Sequence, residues 1–120
     1  MTGGEDPDVT DFMNLPRYLC SQLVELRIRT PEPGLPQEAN RIVNLEEIWT
    51  TGAVLESEEP AEEGAKAEIR CGGAFFAGSI VHVERHEFGW RLEMEFSPMT
   101  PWNVDQFQPE HLLDVSKLGE

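Results

Sequence analysis

Positive charge is what this chain of 120 residues lacks most: nine Lys and Arg stand against 23 Asp and Glu, a formal charge of −14. A surface this acidic repels polyphosphates and anionic lipid headgroups at long range, so nucleic acid and membrane are poor partners. Screening beyond about 8 Å leaves room for a local basic pocket, but nine cations supply little material for one. Long apolar runs are missing as well. No stretch approaches the roughly 20 residues needed to cross a bilayer. The opening Met1-Thr2-Gly3-Gly4-Glu5-Asp6 has neither the basic nor the apolar region of a secretory signal, so a cytoplasmic location is expected. Cys20 and Cys71 lie far apart without Cys-x-x-Cys spacing, which signals no redox motif or structural zinc and leaves buried thiols as the expectation. Also absent are a Gly-rich phosphate loop, paired catalytic carboxylates and a Ser-His-Asp order, so enzymatic activity is not expected.

What is present is a succession of short alternating segments. Residues 1–11 carry Glu5, Asp6, Asp8 and Asp11 with Gly3, Gly4 and Pro7, a composition of a flexible acidic tail. Residues 12–120 read as a single domain with one modest core. A short turn through Phe12, Met13 and Leu15, capped by Asp11, precedes Pro16. From Ser21, Val24, Leu26 and Ile28 alternate with Glu25, Arg27 and Arg29, the pattern of a half-buried antiparallel strand. Pro31, Pro33 and Pro36 end it.

Further strands are expected from Ala39 to Leu45, from Gly52 to Ser57, from Ala65 to Cys71, from Phe75 to Arg85 and from Trp90 to Phe96. The fifth strand is expected to carry Ala77, Val81 and Val83 on one face and Phe76, Ile80 and His82 on the other. Gly78 within it suggests a bulge or a barrel corner. The glutamates from Glu56 to Glu63 mark a solvated loop. In the last strand Trp90, Leu92, Met94 and Phe96 alternate with Arg91, Glu93 and Glu95. Pro109 followed by Glu110, His111, Leu112 and Leu113 suggests one short helical turn docked on the core. No helix-length crossover separates the strands, so an all-β, six-stranded antiparallel barrel with a short C-terminal helical turn is the expected fold.

Two segments carry a likeness. Glu47-Ile48-Trp49-Thr50-Thr51-Gly52, followed by Ala53-Val54-Leu55-Glu56, occupies the junction of the second and third strands, and Arg17-Tyr18-Leu19-Cys20-Ser21 precedes the first. In these segments, and in layout over residues 17–96, the chain resembles the PilZ domain family, the bacterial cyclic di-GMP receptors. That family places an Asp/Asn-x-Ser-x-x-Gly motif at the second-to-third strand junction and an Arg-x-x-x-Arg segment before the first strand. The resemblance implies ligand-binding roles for Arg17 and Gly52.

The departures are chemical. Ser21 stands where the second arginine belongs and cannot supply a planar bidentate fork. Glu47 replaces Asp or Asn, and Trp49 replaces Ser. Taking Asn44 for the acidic position instead requires three inserted residues. Hydrogen bonds to charged groups are worth about 1.5 to 3 kcal/mol each, so these losses predict a degenerate nucleotide site. The expected function is a non-enzymatic bacterial signalling or adaptor domain, without cofactor, acting through contacts with another protein. The alternative is a cyclic di-GMP receptor with a non-standard clamp built from Arg17, Arg27 or Arg29.

Three other groupings stand out. Trp49, in a polar turn, is the candidate partner-binding residue among Trp49, Phe75, Trp90 and Trp102, with Trp90 expected in the core. His82, Glu84 and His86 share one strand face, for which solvation rather than metal ligation is expected. Arg27 and Arg29 are expected to pair across strands with glutamates.

Overall fold

The computed structural model describes residues 17–29 and 38–114. The acidic tail, the turn at Phe12 to Leu15 and the proline break after Thr30 lie outside these residues. Seven strands follow in chain order: β1 Arg17–Arg29, β2 Glu38–Trp49, β3 Gly52–Ser57, β4 Lys66–Cys71, β5 Ala74–His86, β6 Gly89–Phe96 and β7 Leu113–Asp114. They form one antiparallel sheet in the order β2-β3-β6-β5-β4-β1-β7, and a further β1–β2 ladder closes it into a six-stranded barrel. Closure removes the exposed edges that an open sheet of this size would present. The expected all-β barrel is therefore the fold. Among the described residues none is helical, and so none belongs to a helix long and apolar enough to cross a membrane.

The core follows from alternation. Val24, Leu26 and Ile28 of β1 meet Val43, Leu45 and Ile48 of β2, Ala53 and Leu55 of β3, Ile69 of β4, Phe76 and Ile80 of β5, and Leu92, Met94 and Phe96 of β6. Trp90 packs against this cluster rather than within it. One end of the barrel is plugged by the segment after β6. The Trp102 amide donates to the Thr50 carbonyl at 3.0 Å and its indole Nε1 donates to the Phe107 carbonyl at 2.8 Å. Tyr18 meets the buried Trp102 ring edge-on at 5.3 Å.

Bulges account for most departures from the expected boundaries. The β1–β2 register shifts between Leu19 and Gln22, and the β2–β3 register shifts between Leu45 and Glu47. An extra residue interrupts period-two alternation without ending the strand, so β1 begins four residues before Ser21 and β2 continues from Leu45 to Trp49. In β5 the shift lies between Ile80 and His82. Phe76 and Ile80 are buried, Val81 and His82 are exposed, and Val83 returns to pack against the core. Gly78 is not the bulge: a side chain there would meet the Glu95 carbonyl oxygen at 1.9 Å, so its role is close approach of β5 and β6.

The C-terminal helical turn is corrected. His111 has a left-handed backbone, φ 59°, which a helix does not tolerate. Glu110 is tied to β1 instead, through the Ser21 amide to its carbonyl at 3.1 Å and its own amide to the Gln22 side chain at 2.9 Å. Leu112 packs on the core, while Leu113 pairs with Leu19 in β7 and stays largely exposed.

The β6 pattern yields a direct test. Leu92 is fully buried while neighbouring Glu93 is only part-buried. Leu92→Ala is expected to cost about 2 to 5 kcal/mol in chemical denaturation and Glu93→Ala to stay within roughly 0.5 kcal/mol. Equal losses for the two would contradict the register.

Candidate functional site

The β1–β2 register places Arg17 opposite Trp49, and the β2–β3 register places Trp49 opposite Gly52. The residues expected at the site therefore meet. Ile48 points into the core, so Trp49 turns to the outer face, where its ring lies over Gly52: a side chain on Gly52 would sit 2.8 Å from Trp49 Cζ2 and 2.6 Å from the Met94 carbonyl oxygen. Gly52 is required by this close approach. Trp49 is 8% exposed and, with Val54, is buried outside the main core cluster. The expectation of a surface tryptophan in a turn is thus corrected: Trp49 ends a strand and is covered.

Its cover is Arg17. The guanidinium carbon lies 4.1 Å from the Trp49 ring centre, within cation–π range. Arg17 Nη1 also pairs with Glu47 Oε1 at 3.2 Å, and Glu47 Oε2 lies 3.6 Å from Arg91 Nη2 on β6. The Glu47 side chain is only 13% exposed, so its two arginines compensate a charge partly removed from water. Ser21 stands apart from this group; its hydroxyl donates to the Asn44 side-chain oxygen at 3.4 Å.

A second polar cluster adjoins the first. The bulge turns Glu46 to the surface beside Glu47, and Glu46 hydrogen-bonds the carboxyl of Glu56. Desolvation, then the hydrogen bond and the like charge of Glu56, hold the Glu46 carboxyl above the ordinary carboxylate range; Arg91 and His86 oppose the shift. His86 Nδ1 lies 3.7 Å from Glu56. His82 lies 3.6 Å from both Glu63 and Glu84. His82 and His86 thus approach different carboxylates, and among the described residues no group of three or more His, Cys, Asp or Glu could hold a metal.

Arg27 and Arg29 pair across strands as expected, with Glu68 at 4.0 Å and Glu38 at 2.8 Å. They stand ten and twelve residues from Arg17 along β1, roughly 33 and 40 Å at about 3.3 Å per residue. Arg17 cannot share one small ligand with either. Burial pushes both thiols up to about 12, and Cys71 adds to the shift of Cys20. They are unreactive thiols at neutral pH.

Sequence reasoning missed Arg91, Glu46 and Glu56 as members of the outer cluster. Glu46-Glu47, a consecutive polar pair between the apolar Leu45 and Ile48, was the available signal of a bulge that brings both to one face.

Two outcomes check this geometry. Trp49→Ala is expected to cost about 3 to 5 kcal/mol, the range for a buried aromatic; a loss below roughly 0.5 kcal/mol would mean an exposed ring. For Glu46, folding favours the protonated form, so the stability it contributes is present below the ordinary value of 4.5 and is lost as pH rises through the raised folded value. Glu46→Gln is expected to be more stable than wild type at pH 8, with a smaller advantage at pH 4. Urea midpoints that differ by the same amount at both pH values would contradict the carboxyl pair. Comparison of the chain with family models, curated proteins and solved structures returns no match.

Proposed function

We propose that this barrel is a PilZ-like, non-enzymatic signalling or adaptor domain whose nucleotide position is filled by its own side chains and which acts through contacts with another protein. The observation that carries the reading is the engagement of Arg17, held by the Glu47 carboxylate at 3.2 Å and stacked over Trp49 at 4.1 Å. A nucleotide would have to break that pair, strand a part-buried Glu47 with one arginine fewer, and displace a buried indole from above Gly52. Removing one partner from a shielded ion pair is costly because the remaining charge is left uncompensated.

The outer face adds to this. Glu46, Glu47, Glu56, Glu93 and Glu95 surround the position, against Arg17 and Arg91. Such a field disfavours a dianionic dinucleotide. A protein partner with basic side chains meets no such penalty.

Calorimetric titration with cyclic di-GMP tests the reading. No saturable heat is expected up to about 100 μM ligand, a free energy weaker than roughly −5.5 kcal/mol. A submicromolar isotherm that Arg17→Ala abolishes would overturn the proposal in favour of a receptor.

A further inference from the structure

The outer face of the β1–β4 seam is unlike the rest of the molecule. Arg27, Arg29, Lys66 and Arg70 lie there with Glu25, Glu38 and Glu68, so four of the chain's nine cations share one face with three acids. Among the other described residues acids outnumber cations. Leu23, 70% exposed, stands on the same face of β1, with Ile42 and Phe75 exposed one strand to either side.

The order of these residues is self-complementary. β1 pairs with β4 so that Glu25 lies opposite Arg70 and Arg27 opposite Glu68. Continuing the same register brings Leu23 level with Gly72, which carries no side chain and has open space beside it. A two-fold axis parallel to the strands along the β1–β4 midline lays β1 of one copy over β4 of the other at the same height. Glu25 then faces the second copy's Arg70, Arg27 faces its Glu68, and Leu23 faces the bare backbone at its Gly72, each contact made twice. Such an interface is isologous: one patch meets itself. Only the outermost row, Arg29 over Lys66, opposes like charges, and Glu38 already sits 2.8 Å from Arg29.

We infer that the β1–β4 face is a homodimer interface, with Leu23 its apolar anchor and Glu25, Arg27, Glu68 and Arg70 its matched charges. The occupant follows from charge. For a chain of net charge −14, this face allows two copies to approach without stacking acid on acid, and its sign order matches its own two-fold image. Electrostatic matching of this kind fixes register and partner more than it adds affinity, so the dimer is expected to be reversible. The inference does not rest on the proposed adaptor role.

Sedimentation equilibrium of the full chain over about 5 to 500 μM at 150 mM salt tests it, with circular dichroism confirming that each variant is folded. The wild-type mass is expected to rise with concentration from 13.6 kDa towards twice that value. Leu23→Glu, a change at an exposed position, is expected to remain at the monomer mass throughout. Glu25→Arg alone and Arg70→Glu alone each oppose like charges across the axis and are expected to weaken association at least tenfold. An equimolar mixture of those two variants restores every charge pair and is expected to form a heterodimer. A folding defect cannot produce that rescue. A wild type that stays monomeric at 500 μM, a Leu23→Glu variant that still dimerises, or a mixture that stays monomeric would overturn the inference.

Discussion

The ladder between β1 and β2 turns a sheet into a barrel, and its register decides where the chemistry lies. β1 bonds to β2 along one edge and to β4 and β7 along the other. Val24, Leu26 and Ile28 thereby join one core cluster with residues of the other five barrel strands. The same register brings Arg17, at the start of β1, opposite Trp49, at the end of β2. A one-residue slip would turn the apolar set outward and separate that pair. Core and outer-face site are fixed by one constraint.

Two bulges, one in this ladder and one between β2 and β3, adapt the strands to their tasks. The one near Leu19 bends β1 so that its first residues meet β7 and the segment carrying Trp102. The one near Glu46 places two consecutive glutamates on the surface before the strand resumes with Ile48 inward and Trp49 outward. Without it Glu46 and Glu47 would point to opposite faces, one of them the core. The carboxyl pair of Glu46 with Glu56 and the bridge of Glu47 between Arg17 and Arg91 both depend on that extra residue.

The strands and most of the core were legible because alternation is a local signal, whereas the β3–β6 and β1–β4 neighbours were not. Leu92, Met94 and Phe96 in β6 and Ala67, Ile69 and Cys71 in β4 show it without interruption. Legibility ended at the bulges, where alternation breaks while hydrogen bonding continues, and so the ends of β1 and β2 and the burial of Trp49 were hidden. The position of His111 depended on a tie between Glu110 and β1, 88 residues from its partner Gln22, which no local pattern encodes. The meeting of Arg17, Glu47, Trp49 and Gly52 was legible from layout. Arg91, which completes the charge balance from β6, was not, because its pairing is purely tertiary.

The central claim is that the Arg17 guanidinium is already engaged by Trp49 and Glu47, and nuclear magnetic resonance of the arginine side chains addresses it most directly. A proton held over an indole face is shifted upfield by the ring current. The account predicts upfield Arg17 side-chain protons, assigned by their disappearance in Arg17→Lys, whose shift relaxes towards the ordinary position in Glu47→Gln as the anchoring carboxylate is lost. Arg17 protons at ordinary shifts in the wild type, unmoved by Glu47→Gln, would contradict it.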